Sequence, residues 1–144
     1  MRPGVPSSSL SSSAIASLWF PSRSLLSEAL SRNPGNYPIT DMLALLETAA
    51  GNGERAAEHL HRLTRELPKK EHLWLRLAEA EGLARNIVGV HRARAEYDIL
   101  MGDLEAAQRQ LRQAQEKLPA GAPLRQIVTE RLSQVSERLN QRRS

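Results

Sequence analysis

The sequence predicts an all-α chain built as a stack of helical hairpins, and three observations lead there. From residue 40 onward Ala, Leu, Glu, Gln and Arg dominate. That is a helix-forming alphabet, poor in the β-branched and aromatic residues that strands favour. The stretch "GNGERAAEHLHRLTRELP" at 51–68 is written again at 102–119 as "GDLEAAQRQLRQAQEKLP", with Gly51, Ala56, Leu60 and Pro68 answered by Gly102, Ala107, Leu111 and Pro119. Pro34 and Pro68 lie 34 residues apart, and Pro68 and Pro119 lie 51 apart. A 34-residue step fits a two-helix unit, and one and a half steps fit three helices.

Each element follows from its own pattern. Residues 23–34 read as the second helix of a truncated first unit, its first helix falling where the chain is Ser-rich and a poor helix former. Residues 39–50 carry Ile39, Met42, Leu43 and Leu46 at helical spacing, with Thr40 or Asp41 as the expected cap. Gly51-Asn52-Gly53 breaks that helix. Residues 54–67 place Ala56, Leu60 and Leu63 on one side, and Pro68 stops them. Helices are then expected at about 71–85, 89–101 and 104–118, the three that the 51-residue gap requires. Asn86 and Gly89 fall in the loop between the first two. A last helix at about 123–140, with Leu124, Ile127, Val128, Leu132, Val135 and Leu139 as its stripe, serves as the cap a stack needs. Small residues at Ala56, Ala78 and Ala107 let neighbouring helices approach. The domain reading is therefore a poorly ordered 1–21, a helical-repeat domain at 22–140 and a tail at 141–144.

Composition narrows the function classes. There are no cysteines, which excludes a disulfide scaffold and a thiolate metal site. The formal net charge is +4, but Arg alternates with Glu along the helices, which reads as solvated faces rather than a nucleic-acid stripe. Nucleic-acid binding would need steep salt dependence and an aromatic platform, and the platform is missing. No apolar run is long enough for a membrane span. The start "MRPGVPSSSLSSSAIASLWFPS" makes a poor secretory signal. No metallopeptidase, serine-hydrolase or phosphate-loop motif is present. His59 and His61 point to nearly opposite sides of their helix, so no metal site and no cofactor is expected.

The 34-residue pattern resembles tetratricopeptide repeats. Trp74, Leu77 and Ala78 match the large–Leu–small trio of the first helix, and Gly102, Ala107, Leu111, Ala114 and Pro119 match the second. The resemblance implies a right-handed superhelix of hairpins with a concave, partner-binding face. A narrower resemblance covers about 23–140. The run His91, Arg92, Ala93, Arg94, Ala95, Glu96, Tyr97, followed by Gly102-Asp103-Leu104, is similar to the C-terminal repeat region of BepA-type periplasmic zinc metallopeptidases. That resemblance implies a periplasmic setting and contacts with outer-membrane assembly components or a peptidase domain. The peptidase motif itself is absent here.

The expected function is thus a non-catalytic module that presents a concave surface to a protein or peptide. The alternative is the regulatory or substrate-recruiting repeat portion of a zinc metallopeptidase whose catalytic domain is not on this chain. Carried over from the repeat pattern, the groove-facing residues are Asp41, Leu45, His72, Leu75, Glu79, Arg92 and Glu96. The unfinished first unit leaves Leu25, Leu26 and Leu30 short of cover, an edge for self-association.

Overall fold

A computed structural model describes the backbone of residues 12–144 and the side chains of residues 22–144. Among the described residues there are seven helices and no strand: α1 (Ser12–Arg32), α2 (Tyr37–Ala49), α3 (Gly53–Glu66), α4 (Glu71–Leu83), α5 (Ile87–Met101), α6 (Leu104–Glu116) and α7 (Pro123–Arg143). Three helices, α4 to α6, occupy the interval between Pro68 and Pro119, as the spacing requires. Two ends differ from expectation. α1 begins at Ser12 rather than near 23, so the backbone of 12–21 is helical; residues 1–11 lie outside the described residues. α7 runs on through Arg143, so no separate tail starts at 141.

The turns between helices repeat one device. Gly51, Arg85 and Gly102 adopt left-handed backbone, with φ of 81°, 60° and 84°. Each is followed by a residue whose N–H returns to a carbonyl five residues earlier: Asn52 to Glu47 at 2.8 Å, Asn86 to Glu81 at 2.9 Å, Asp103 to Asp98 at 2.9 Å. Each left-handed residue itself donates to a carbonyl three residues back. This pair of bonds satisfies the carbonyls that a helix end leaves unpaired. The residue that closes one helix then opens the next. Asn86 Oδ1 accepts from Gly89 N at 3.1 Å, and Asp103 Oδ1 accepts from Ala106 N at 2.9 Å. The helix at 37–49 is capped by Asn36, whose side chain accepts from Ile39 N at 3.2 Å, and not by Thr40 or Asp41. Pro38, in the first turn, has no N–H to leave unsatisfied, so the start moves upstream.

Each helix packs chiefly on the helix before and after it. Two buried clusters result. One joins α2 to α5 through Ala44, Ala56, Leu60, Leu63, Leu77 and Ala93. The other joins α5 to α7 through Ala95, Leu104, Leu111, Val128, Val135 and Leu139. α5 contributes to both, with Ala93 and Ala95 on its two sides. Alanine is common in both clusters because helices this close leave no room for a longer side chain.

Ion pairs add a second layer of connection between helices that are not consecutive. Arg76 of α4 pairs with Asp41 of α2. Arg131 of α7 grips Glu96 of α5 with two bonds, Nε to Oε2 at 2.9 Å and Nη2 to Oε1 at 2.7 Å. In both cases the acid and the arginine are 35 residues apart, one more than the 34-residue step.

Candidate functional site

A cleft of about 470 Å³ opens between α3, α5 and α7, with α4 and α6 behind it. Its volume falls in the range of ligand sites. From α3 it takes His61, Thr64 and Arg65; from α5 Gly89, Arg92, Ala93 and Glu96; from α7 Leu124, Ile127, Glu130 and Arg131. Trp74, Leu77 and Glu81 of α4 and Leu111 of α6 complete the lining. Apolar atoms make up the larger share of the exposed lining, but polar and charged side chains, among them His61, Glu81, Arg92, Glu96 and Arg131, are set throughout it.

Glu81 forms part of the floor. It is only 4% exposed, and a buried carboxylate needs partners. Asn86 donates its side-chain amide to one carboxylate oxygen, and His61 Nε2 lies 3.3 Å from the other. Gly89 makes room for it, because a β-carbon at 89 would land on that carboxylate. Glu47 repeats the arrangement one hairpin earlier. It is fully buried, accepts from Asn52 Nδ2 at 2.9 Å, and pairs with Arg23 at 2.7 Å.

The aromatic wall is fixed in place. Trp74 donates its indole N–H to the carbonyl of Pro68 at 2.9 Å, which orients the ring at the end of the α3–α4 turn. Ile127, on α7, also lines the cleft and is 53% exposed. At the α7 side the Glu96–Arg131 clasp ties α5 to α7. The hydrogen bonds that Arg131 donates to Glu96 raise its pKa above the usual value, against the opposing effect of burial. Among the described residues the side chains of Arg92, Arg65 and Glu130 form no ion pair or hydrogen bond.

Of the residues expected on the groove, Arg92 and Glu96 line this cleft. Asp41, Leu45, His72, Leu75 and Glu79 do not. Asp41 is bound to Arg76 between α2 and α4. Leu45 and Leu75 are 48% and 45% exposed on those same helices, and His72 and Glu79 are exposed on α4. The difference is one of parity: the cleft is lined by α3, α5 and α7, whereas the repeat pattern points to α2 and α4. Arg65, Trp74 and Arg131 line the cleft although the repeat pattern does not point to them; Ile127, expected in the covered stripe of the last helix, is instead 53% exposed on the cleft wall, because no further helix packs on that side of α7 among the described residues. The 35-residue spacing shared by Asp41–Arg76 and Glu96–Arg131 is a signal that would have pointed to Arg131.

His59 and His61 do diverge. His59 turns toward buried Glu47, and its pKa is lowered by burial, with Glu47 opposing. His61 turns toward Glu81. His91 is half-buried, with Nδ1 2.7 Å from Gln110 Oε1. Among the described residues no group of three His, Cys, Asp or Glu is placed to hold a metal ion, and no helix is long and apolar enough to cross a membrane.

Fold and cleft together define a class: an all-helical protein with a ligand-sized, mostly apolar cleft between alternate helices. Compared with protein-family models and with curated proteins, the chain matches none.

Proposed function

We propose that this chain is a tetratricopeptide-like helical-repeat module that binds a protein or peptide segment in the cleft between α3, α5 and α7. The observation that carries the reading is the cleft itself, a concavity with a mostly apolar lining and an unpaired half-buried arginine, Arg92. Pocket surfaces of this kind, built on stacked helices, suit extended or helical segments of a partner. Left-handed turns 34 and then 17 residues apart, at 51, 85 and 102, support the repeat reading. So does the packing of each helix chiefly on its chain neighbours. The bacterial envelope, with outer-membrane assembly components or a peptidase domain as partners, is the setting proposed on the residue pattern at 91–107 alone.

The test is selection of random dodecapeptides on the immobilised full chain. Enriched peptides should lose binding to Ile127→Arg, which puts a charge on the exposed cleft wall, and keep it for Leu75→Arg on the outer face. Circular dichroism checks that both variants stay helical. Peptides that bind Ile127→Arg as well as they bind the unsubstituted chain remove the cleft from the proposal. A selection that enriches nothing removes peptide binding altogether.

A further inference from the structure

We infer that the cleft selects a peptide segment with an internal Asp or Glu beside a bulky apolar side chain, and that Arg92 reads the carboxylate. The inference rests on the peptide-binding reading above and narrows it.

The charge inventory of the cleft singles out Arg92. Glu81 is engaged by Asn86 and His61, and Glu96 is engaged by Arg131. That leaves Arg65, Arg92 and Glu130. Arg65 and Glu130 are exposed, so water satisfies them and a partner gains little there. Arg92 is half-buried and its side chain makes no ion pair or hydrogen bond among the described residues. A guanidinium withdrawn from bulk water without a partner keeps its five donors and a fork geometry that matches a carboxylate. An arriving carboxylate therefore finds a charge already partly desolvated.

Position argues for an internal side chain rather than a chain end. Arg92 sits on α5, the middle one of the three helices that form the cleft. A segment crossing from α3 to α7 brings a side chain to it from mid-segment, whereas a terminus stopping there leaves half the cleft unfilled. The apolar part of the specificity comes from Trp74 and from Ile127, which both line the cleft, Ile127 standing 53% exposed.

The experiment uses the full chain and the most enriched dodecapeptide from the selection above, acetylated and amidated so that neither end is charged. It is titrated calorimetrically with its acidic residue present and with that residue changed to Gln or Asn. The expected loss on that change is about tenfold or more, as for a charge-assisted pair. Arg92→Gln should cost the acidic peptide a similar factor and leave the neutral one unaffected, and Arg92→Lys should retain part of the binding. Both variants should melt near the unsubstituted chain. If Arg92→Gln weakens the two peptides equally or weakens neither, or if the selected peptides lack Asp and Glu, the inference is wrong while peptide binding stands. Arg92-dependent binding of decanoate by a chain that selects no peptide overturns both.

Discussion

Asp98 shows how one residue type can turn a repeated device against itself. It occupies the place in its turn that Glu47 and Glu81 hold in theirs. Those two acids accept an amide N–H from Asn52 and Asn86. The equivalent residue in the third turn is Asp103, which has no amide to donate. Asp98 is consequently raised above the usual 3.8, first by burial and then by the Asp103 charge, with Arg109 and Arg94 opposing. The folded state thus holds this proton to higher pH than the unfolded chain does. Stability falls as pH rises from 3.8 through the folded value, and above it the penalty is constant. Asp103→Asn keeps the cap on Ala106 N and restores the donor. It should lower the Asp98 pKa, read by carboxyl NMR titration, and raise the melting temperature at neutral pH. The stability gain should fade as the pH drops below the Asp98 pKa of both proteins, where Asp98 is protonated with or without the neighbour. A gain that persists there would assign the effect to something other than Asp98.

At the scale of elements, the turns do most to set the architecture. Two of the three left-handed positions are glycine, which adopts that backbone without a steric cost. The third is Arg85, an exposed residue at φ 60°. A left-handed conformation costs an L-residue about 1–2 kcal/mol, partly recovered in a comparison with Gly because Gly loses more entropy on folding. Arg85→Gly should therefore stabilise the chain by roughly 0.5–1 kcal/mol in urea titration. Equal stability or a loss would mean that the Arg85 side chain contributes more than its backbone costs. The same turn explains a limit on reading the sequence. Gly51 and Gly102 stand out as helix breaks, but nothing in the letter Arg marks a left-handed residue. The flanking acids and caps carry the missing signal: Glu81 and Asn86 follow Glu47 and Asn52 by 34 residues. Helices α3 and α6, polar apart from one sharp apolar side, are fully legible in sequence. α5 is legible as a helix, but its buried sides are not, because it buries residues on two sides and has no single stripe.

At the scale of the whole molecule, both buried clusters among the described residues draw on α5, and neighbouring helices supply most of each helix's cover. Such an arrangement lets one end loosen before the other. Leu111→Ala removes a side chain that is 2% exposed in the α5–α7 cluster and should cost about 2–5 kcal/mol there. Hydrogen exchange should then quicken first in α6 and α7, with the amides around Leu60 and Leu63 in α3 protected longer. Uniform acceleration along the chain would show a single cooperative unit instead. The cleft belongs to this scale too. Its wall at Ile127 comes from α7 and its fixed indole from α4, more than 50 residues earlier. Opening of α6 and α7 would dismantle it, so ligand should slow exchange in those helices.

By itself the sequence determined the helical character, the number of helices between the prolines and the faces of α3 and α6. These depend on local quantities: propensity, period and the glycines and prolines that interrupt them. It also brought Arg92 and Glu96 forward. Only the tertiary structure decided which set of alternate helices encloses the cleft, and so placed Leu45 and Leu75 outside it and Trp74, Ile127 and Arg131 within. A helix's apolar period says that a face is covered, but not which neighbour covers it. That choice rests on turn geometry and on pairs such as Glu96–Arg131, whose partners are distant in the chain and meet only when the helices are stacked.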